Sequence, residues 1–133
     1  MNYWLLKTEP SEYSWERLLK EKEGLWDGVR NHQARINLQK MKKGDRAFIY
    51  HTGDEKAVIG IAVVSLGPFP EPGSPEWTSI KIQPEKKLKN PVKLTRIKAE
   101  KKLTEITLVK MSRLSVHALT KAVFDHILKL SQE

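Results

Sequence analysis

The sequence contains no cysteine, which excludes disulfides, thiolate nucleophiles and thiolate metal sites. It has no run approaching the ~20 consecutive apolar residues that a membrane-spanning helix requires. Its opening, MNYWLLKTEP, lacks the basic-then-apolar layout of a signal peptide. The expectation is a soluble, cytoplasmic chain with no membrane partner. The four histidines, His32, His51, His117 and His126, show no close metal-binding spacing, and nucleophile-elbow, P-loop and dinucleotide-binding glycine patterns are all missing. Carboxylates such as Asp54 and Glu55 fall in a polar turn. No metal, cofactor or catalytic residue is expected, although an enzyme of unfamiliar type that binds a small molecule or nucleotide is not ruled out by motifs alone.

What is present is compact and basic. With 133 residues, 39% of them apolar and gathered into short patterned runs, the chain suits one domain over residues 1–133 with one core. A monomer is the default. The net charge is +8, and +7 of it lies between Lys81 and Lys110, where ten basic residues face three acids. Such a field attracts polyanions, nucleic acid above all. A solvating lysine-rich surface on a protein-interaction or structural module accounts for the same charge equally well.

Tyr3 to Thr8 reads as a first strand ending before Pro10. Ser14 is placed as an N-cap, with Trp15, Leu18 and Leu19 at helical spacing and Gly24 to close that helix. Asn31 caps a second helix with Ala34, Leu38 and Met41 on one face. Asp45–Thr52 and Ala57–Leu66 form a hairpin around the turn TGDEK, and Gly60 inside the second strand marks a bulge or a close approach. The proline-rich GPFPEPGSPE reads as a loop. Trp77–Gln83 and Pro91–Lys98 read as strands, and Val116, Leu119, Val123, Ile127 and Leu130 as one C-terminal helix. The expected class is α+β: a mostly antiparallel, barrel-like sheet of about five or six strands with about three flanking helices.

Two tryptophans sit oddly for a core. Trp26 lies in the polar, glycine-flanked GLWDGVRN, and Trp77 begins the polar face of its strand. Aromatic faces stack on bases for about 1–3 kcal/mol each, and an extruded base also needs its edge read by hydrogen bonds, which Asp27, Arg30 and Asn31 can supply. Equally, Trp26 can plug the end of a barrel while Arg30 pairs with Asp27.

Four ordered segments, YWLLKTEPSEYSW, WDGVRNHQARINLQKMKKGD, FIYHTGDEKAVIGIAVV and RLSV, resemble the EVE domain family along nearly the whole chain. The resemblance implies a PUA-like β-barrel related to YTH domains, no catalysis, and reading of a modified base, either a modified cytosine in DNA or a modified base in RNA. It places a pocket among Lys7, Thr8, Glu9 and Ser11, then Trp26, Asp27, Gly28 and Asn31, then Tyr50 and His51, with Trp26 as aromatic wall and Trp77 as a second one. The lysine-rich stretch from Lys86 to Lys102 departs from the family pattern. Lys86, Lys87, Lys101 and Lys102, together with Arg30, are the candidate contacts to the phosphate backbone.

Overall fold

A computed structural model describes residues 1–133. Strand β1 (Tyr3–Thr8) is followed by helix α1 (Trp15–Glu21), the short strand β2 (Gly24–Trp26) and helix α2 (His32–Gln39). Strands β3 (Arg46–His51), β4 (Ala57–Glu71) and β5 (Ser74–Lys93) come next. Helix α3 (Leu94–Ala99), a 3-10 turn (Lys101–Leu103), helix α4 (Thr107–Lys110), strand β6 (Val116–Leu119) and helix α5 (Lys121–Leu130) complete the chain. The strands make one six-stranded sheet in the order β2-β5-β4-β3-β1-β6. β1 and β3 pair in parallel, and the remaining neighbours are antiparallel.

Both faces of this sheet are covered, so its central strands read as nearly unbroken apolar runs. Alternation divides them between two cores: Trp4, Leu6, Ala47 and Ile49 face α1 and α2 in one, while Leu5, Phe48 and Tyr50 join Ile97, Leu108, Phe124 and Ile127 of the later helices in the other. Phe48 stacks on Phe124 with ring centroids 4.2 Å apart. Gly60 is required on the first face, since a Cβ there would lie 2.7 Å from the Trp15 indole. The close approach read from the sequence is thus made by a side chain.

The expected barrel is corrected: the sheet is mixed, it stays open, and five helices flank it. Its outer strands are short, three residues in β2 and four in β6, and they do not pair with each other. Helix α2 spans the gap instead. Asn37 Nδ2 donates to the Val116 carbonyl of β6 at 2.7 Å, and Gln39 Nε2 donates to Thr78 Oγ1 of β5 at 3.2 Å. Side chains of a helix therefore take the place of a closing backbone ladder.

Three local expectations also change. The proline-rich segment is strand on both sides of a turn at Pro72 and Gly73. Beyond the stretch that pairs with β3, β4 is an edge, where a proline's missing N–H leaves no ladder bond unmade. Pro91–Lys98 leaves the sheet after Lys93 and becomes α3, burying Ile97. The expected C-terminal helix is split: Val116–Leu119 pairs with β1, and Thr120 then caps α5 by accepting from Val123 N at 3.1 Å.

Candidate functional site

At the C-terminal end of β1 a cleft of about 720 Å3 opens between the Thr8–Tyr13 segment and the loop after β2. Local hydrogen bonds build the first wall. The amides of Glu12 and Tyr13 both donate to the Glu9 carbonyl at 2.9 Å, and Thr8 Oγ1 donates to the Tyr13 carbonyl at 2.8 Å. This turn delivers Ser14 to cap α1, its hydroxyl accepting from Arg17 N. Tyr13 is thereby laid over Gly24, where a Cβ would lie 2.0 Å from the phenol oxygen. The Tyr13 hydroxyl donates to Glu21 Oε1 at 2.5 Å, and the Arg17 guanidinium lies 4.7 Å from its ring centroid. Burial, helped by Glu21, pushes the phenol above its ordinary value, and the Tyr13 hydrogen bond holds the Glu21 carboxyl below the usual range.

The opposite wall is Asp27 to Asn31, held from behind by one buried carboxylate. Glu71, 5% exposed, accepts from Gly28 N at 2.7 Å and from Arg30 Nη1 and Nη2 at 3.0 and 2.6 Å. Gly28 has φ +76°, a conformation that favours glycine. The Arg30 fork keeps Glu71 well below the usual carboxylate range, and Glu71 raises Arg30 in turn. Asn31 Oδ1 accepts from Ala34 N at 2.9 Å and starts α2.

Of the residues singled out in the sequence, Lys7, Thr8, Glu9, Trp26, Asp27, Gly28, Arg30 and Asn31 line this cleft. Trp26 is 7% exposed, belongs to the core and meets Tyr13 edge-on at 5.7 Å. It borders the cleft without offering it an open face. Lys7 Nζ donates to the Ser112 carbonyl, and burial lowers its pKa. Ser11 stands behind Glu9, donating to its Oε1 at 3.3 Å. Tyr50 and His51 point elsewhere: Tyr50 is in the second core, and His51 accepts from Trp15 N at 3.1 Å while its Nδ1 meets Glu55 Oε1 at 2.7 Å. Trp77 lies outside the cleft, stacked on His32 at 5.3 Å with the guanidinium carbons of Arg30 and Arg35 at 5.2 and 5.5 Å from its ring centroid. Lys86, Lys87, Lys101 and Lys102 do not line it. Arg30 pairs with Glu71, not Asp27.

Sequence reasoning missed Glu12, Tyr13, Arg17, Glu21, Leu25, Val29 and Ser115 of the lining, and Glu71 behind it. Tyr13 carried a signal, an aromatic just before a helix cap. Glu71 carried none, being one acid among prolines. The lining sets four carboxylates against three cations, so the cleft itself does not attract phosphate.

Comparison with known proteins agrees with this fold. The family profile described as EVE domain matches residues 2–130. Thymocyte nuclear protein 1 of Mus musculus is 30% identical, aligned over 98% of this chain and 74% of its own length. A Rhodopseudomonas palustris protein solved by NMR is 38% identical, with TM-score 0.94 over 99% of this chain and 94% of that one. The human THYN1 protein, solved in complex with 5-methylcytosine containing DNA, is 27% identical, with TM-score 0.92 over 100% and 99%. The mouse, rat and human relatives are named nuclear proteins, which overturns the cytoplasmic placement expected from the sequence. With the profile running from the second residue into the last helix and a relative of 38% identity keeping the same architecture, this chain belongs to the EVE domain family.

Proposed function

We propose that the chain is a non-enzymatic module that binds DNA carrying a modified cytosine and accepts that base in the cleft beside Tyr13 and Trp26. The observation that carries the reading is the mixed lining. Aromatic and aliphatic surface from Tyr13, Leu25 and Val29, backed by the buried Trp26, suits a flat ring and a methyl group, while ring-edge partners come from Lys7 to Glu9 and Asp27 to Asn31. Carboxylates are the natural acceptors for the exocyclic amine of cytosine. The human relative solved with 5-methylcytosine containing DNA supports the choice of ligand. Trp26 is assigned to the rear apolar wall and Tyr13 to the mouth, in keeping with their burial.

The test is direct binding of matched oligonucleotides that differ by one methyl group, in DNA and in RNA. A methyl buried against the apolar wall stabilises by about 0.8 kcal/mol, a factor of about 4 in Kd. Equal affinity for methylated and unmethylated DNA overturns the reading.

A further inference from the structure

Across Asn31 from the cleft lies a second groove, of about 360 Å3. Its outer wall is the turn that follows α4, and its lining carries two cations, Lys110 and Arg113, and no carboxylate. The electrostatics divide the surface: the cleft, rich in acids, suits an uncharged base, and the groove beside it suits phosphate. Lys110 is engaged only by Glu105 at 2.9 Å, an exposed pair that a phosphate can displace, and Arg113 makes no ion pair.

Between these cations in sequence stands Met111, 54% exposed. Four other large apolar side chains are similarly exposed, Met1, Leu19, Ile36 and Leu66, and none of them lines the cleft or the groove. The turn that carries Met111 is firmly seated. Lys7 N donates to the Ser115 carbonyl at 2.9 Å, Lys7 Nζ donates to the Ser112 carbonyl, and Leu114 N donates to the Met111 carbonyl at 3.1 Å. Leu114 anchors the turn in the first core. Met111 therefore stands exposed in the groove next to the cleft, on a turn tied to β1.

We propose that this turn is the duplex-opening element: Met111 enters the base stack in the space left by the cytosine turned into the cleft, and Lys110 and Arg113 grip the flanking phosphates. The inference rests on the proposed reading of the cleft. Taking a base out of a duplex sacrifices its stacking and leaves a gap, and apolar side chains next to a binding site fill such gaps. A protein partner is disfavoured, because the single exposed apolar group is flanked by cations instead of a wider apolar surface.

The experiment compares wild type, Met111→Ala, Met111→Leu and the double variant Lys110→Gln with Arg113→Gln, each checked by thermal melting. The probes are a duplex with one 5-methylcytosine, its unmethylated twin, and the methylated and unmethylated strands alone, with 2-aminopurine beside the target cytosine to report unstacking. Met111→Ala is expected to weaken duplex binding by about tenfold and suppress the fluorescence rise, leaving strand binding within about twofold. Met111→Leu restores both. The double variant is expected to flatten the salt dependence on the duplex, by up to about 0.9 in slope for each phosphate no longer gripped. The wedge is overturned if Met111→Ala weakens duplex and strand alike or neither, or if wild type binds only the strand; in each case the cleft assignment survives. Indifference of wild type to the methyl group in both duplex and strand removes the cleft reading itself, and the wedge with it.

Discussion

Glu71 uses two oxygens to fix a backbone amide and a guanidinium, and these together set the shape of the Asp27–Asn31 loop. Glu71→Ala leaves the Gly28 amide and Arg30 without their acceptor and is expected to lower stability by about 1–3 kcal/mol, read as a fall in the urea midpoint. Trp26, buried in the core, behaves differently from an open stacking platform. Trp26→Ala is expected to remove about 3–5 kcal/mol of stability and to weaken all ligands together; a stability loss under about 1 kcal/mol with selective loss of methylated DNA would falsify the core assignment. His117 is fully buried, donates from Nε2 to the Leu114 carbonyl, and is pushed down to about 4 by burial. The unfolded chain takes up this proton near pH 6.5 and the folded chain only near 4, so acid favours unfolding. The stability due to this ring is whole above about pH 6.5 and shrinks progressively as the pH falls toward 4. Urea midpoints measured across that window should show the decline in wild type and a flatter profile in His117→Gln.

At the level of elements, local signals were legible and remote pairings were not. Ser14 and Asn31 cap their helices as their positions imply, because capping involves residues only three apart. Gly60 announced a close approach, and Gly60→Ala, forcing a methyl into the Trp15 ring, is expected to lose about 1–3 kcal/mol in a denaturant titration. By contrast, Val116 and Leu119 keep helical spacing with Val123, yet a strand forms there because β1 offers an unpaired edge. The same remote logic hides β2, which puts Trp26 in a ladder with Ile80 though its neighbours read as a polar loop. That the sheet stays open was illegible for a related reason: closure depends on whether strands from distant segments meet, and Asn37 and Gln39 look like ordinary polar helix residues until their partners are known. Among the candidate site residues, Trp26, Asp27, Arg30 and Asn31 were read from the residues themselves and Lys7–Glu9 and Gly28 from the family pattern, and all of these line the cleft, whereas Tyr50, His51 and Trp77 turn to structural contacts away from it.

Over the whole molecule, Lys86, Lys87, Lys101 and Lys102 stand apart from the cleft lining. Lys101 and Lys102 lie in a turn whose Leu103 packs into the second core, on the sheet face opposite Trp26. Replacing Lys86, Lys87, Lys101 and Lys102 by Gln is therefore expected to weaken methylated and unmethylated DNA equally, leaving their affinity ratio unchanged in filter binding across a salt series. The order of the strands also bears on how the protein comes into being. β1 lies between β3 and β6, with Leu6 opposite Val116 and Trp4 opposite Ala118. Within this sheet, the first strand to be synthesised is thus the neighbour of the last. At roughly 5–20 residues per second, one edge of β1 stays unpaired for on the order of ten seconds of synthesis, as an apolar strand in search of any partner. Translation that stalls before Val116 leaves a chain with this edge permanently open, and such fragments are the ones a cell's chaperones must hold or its proteases remove.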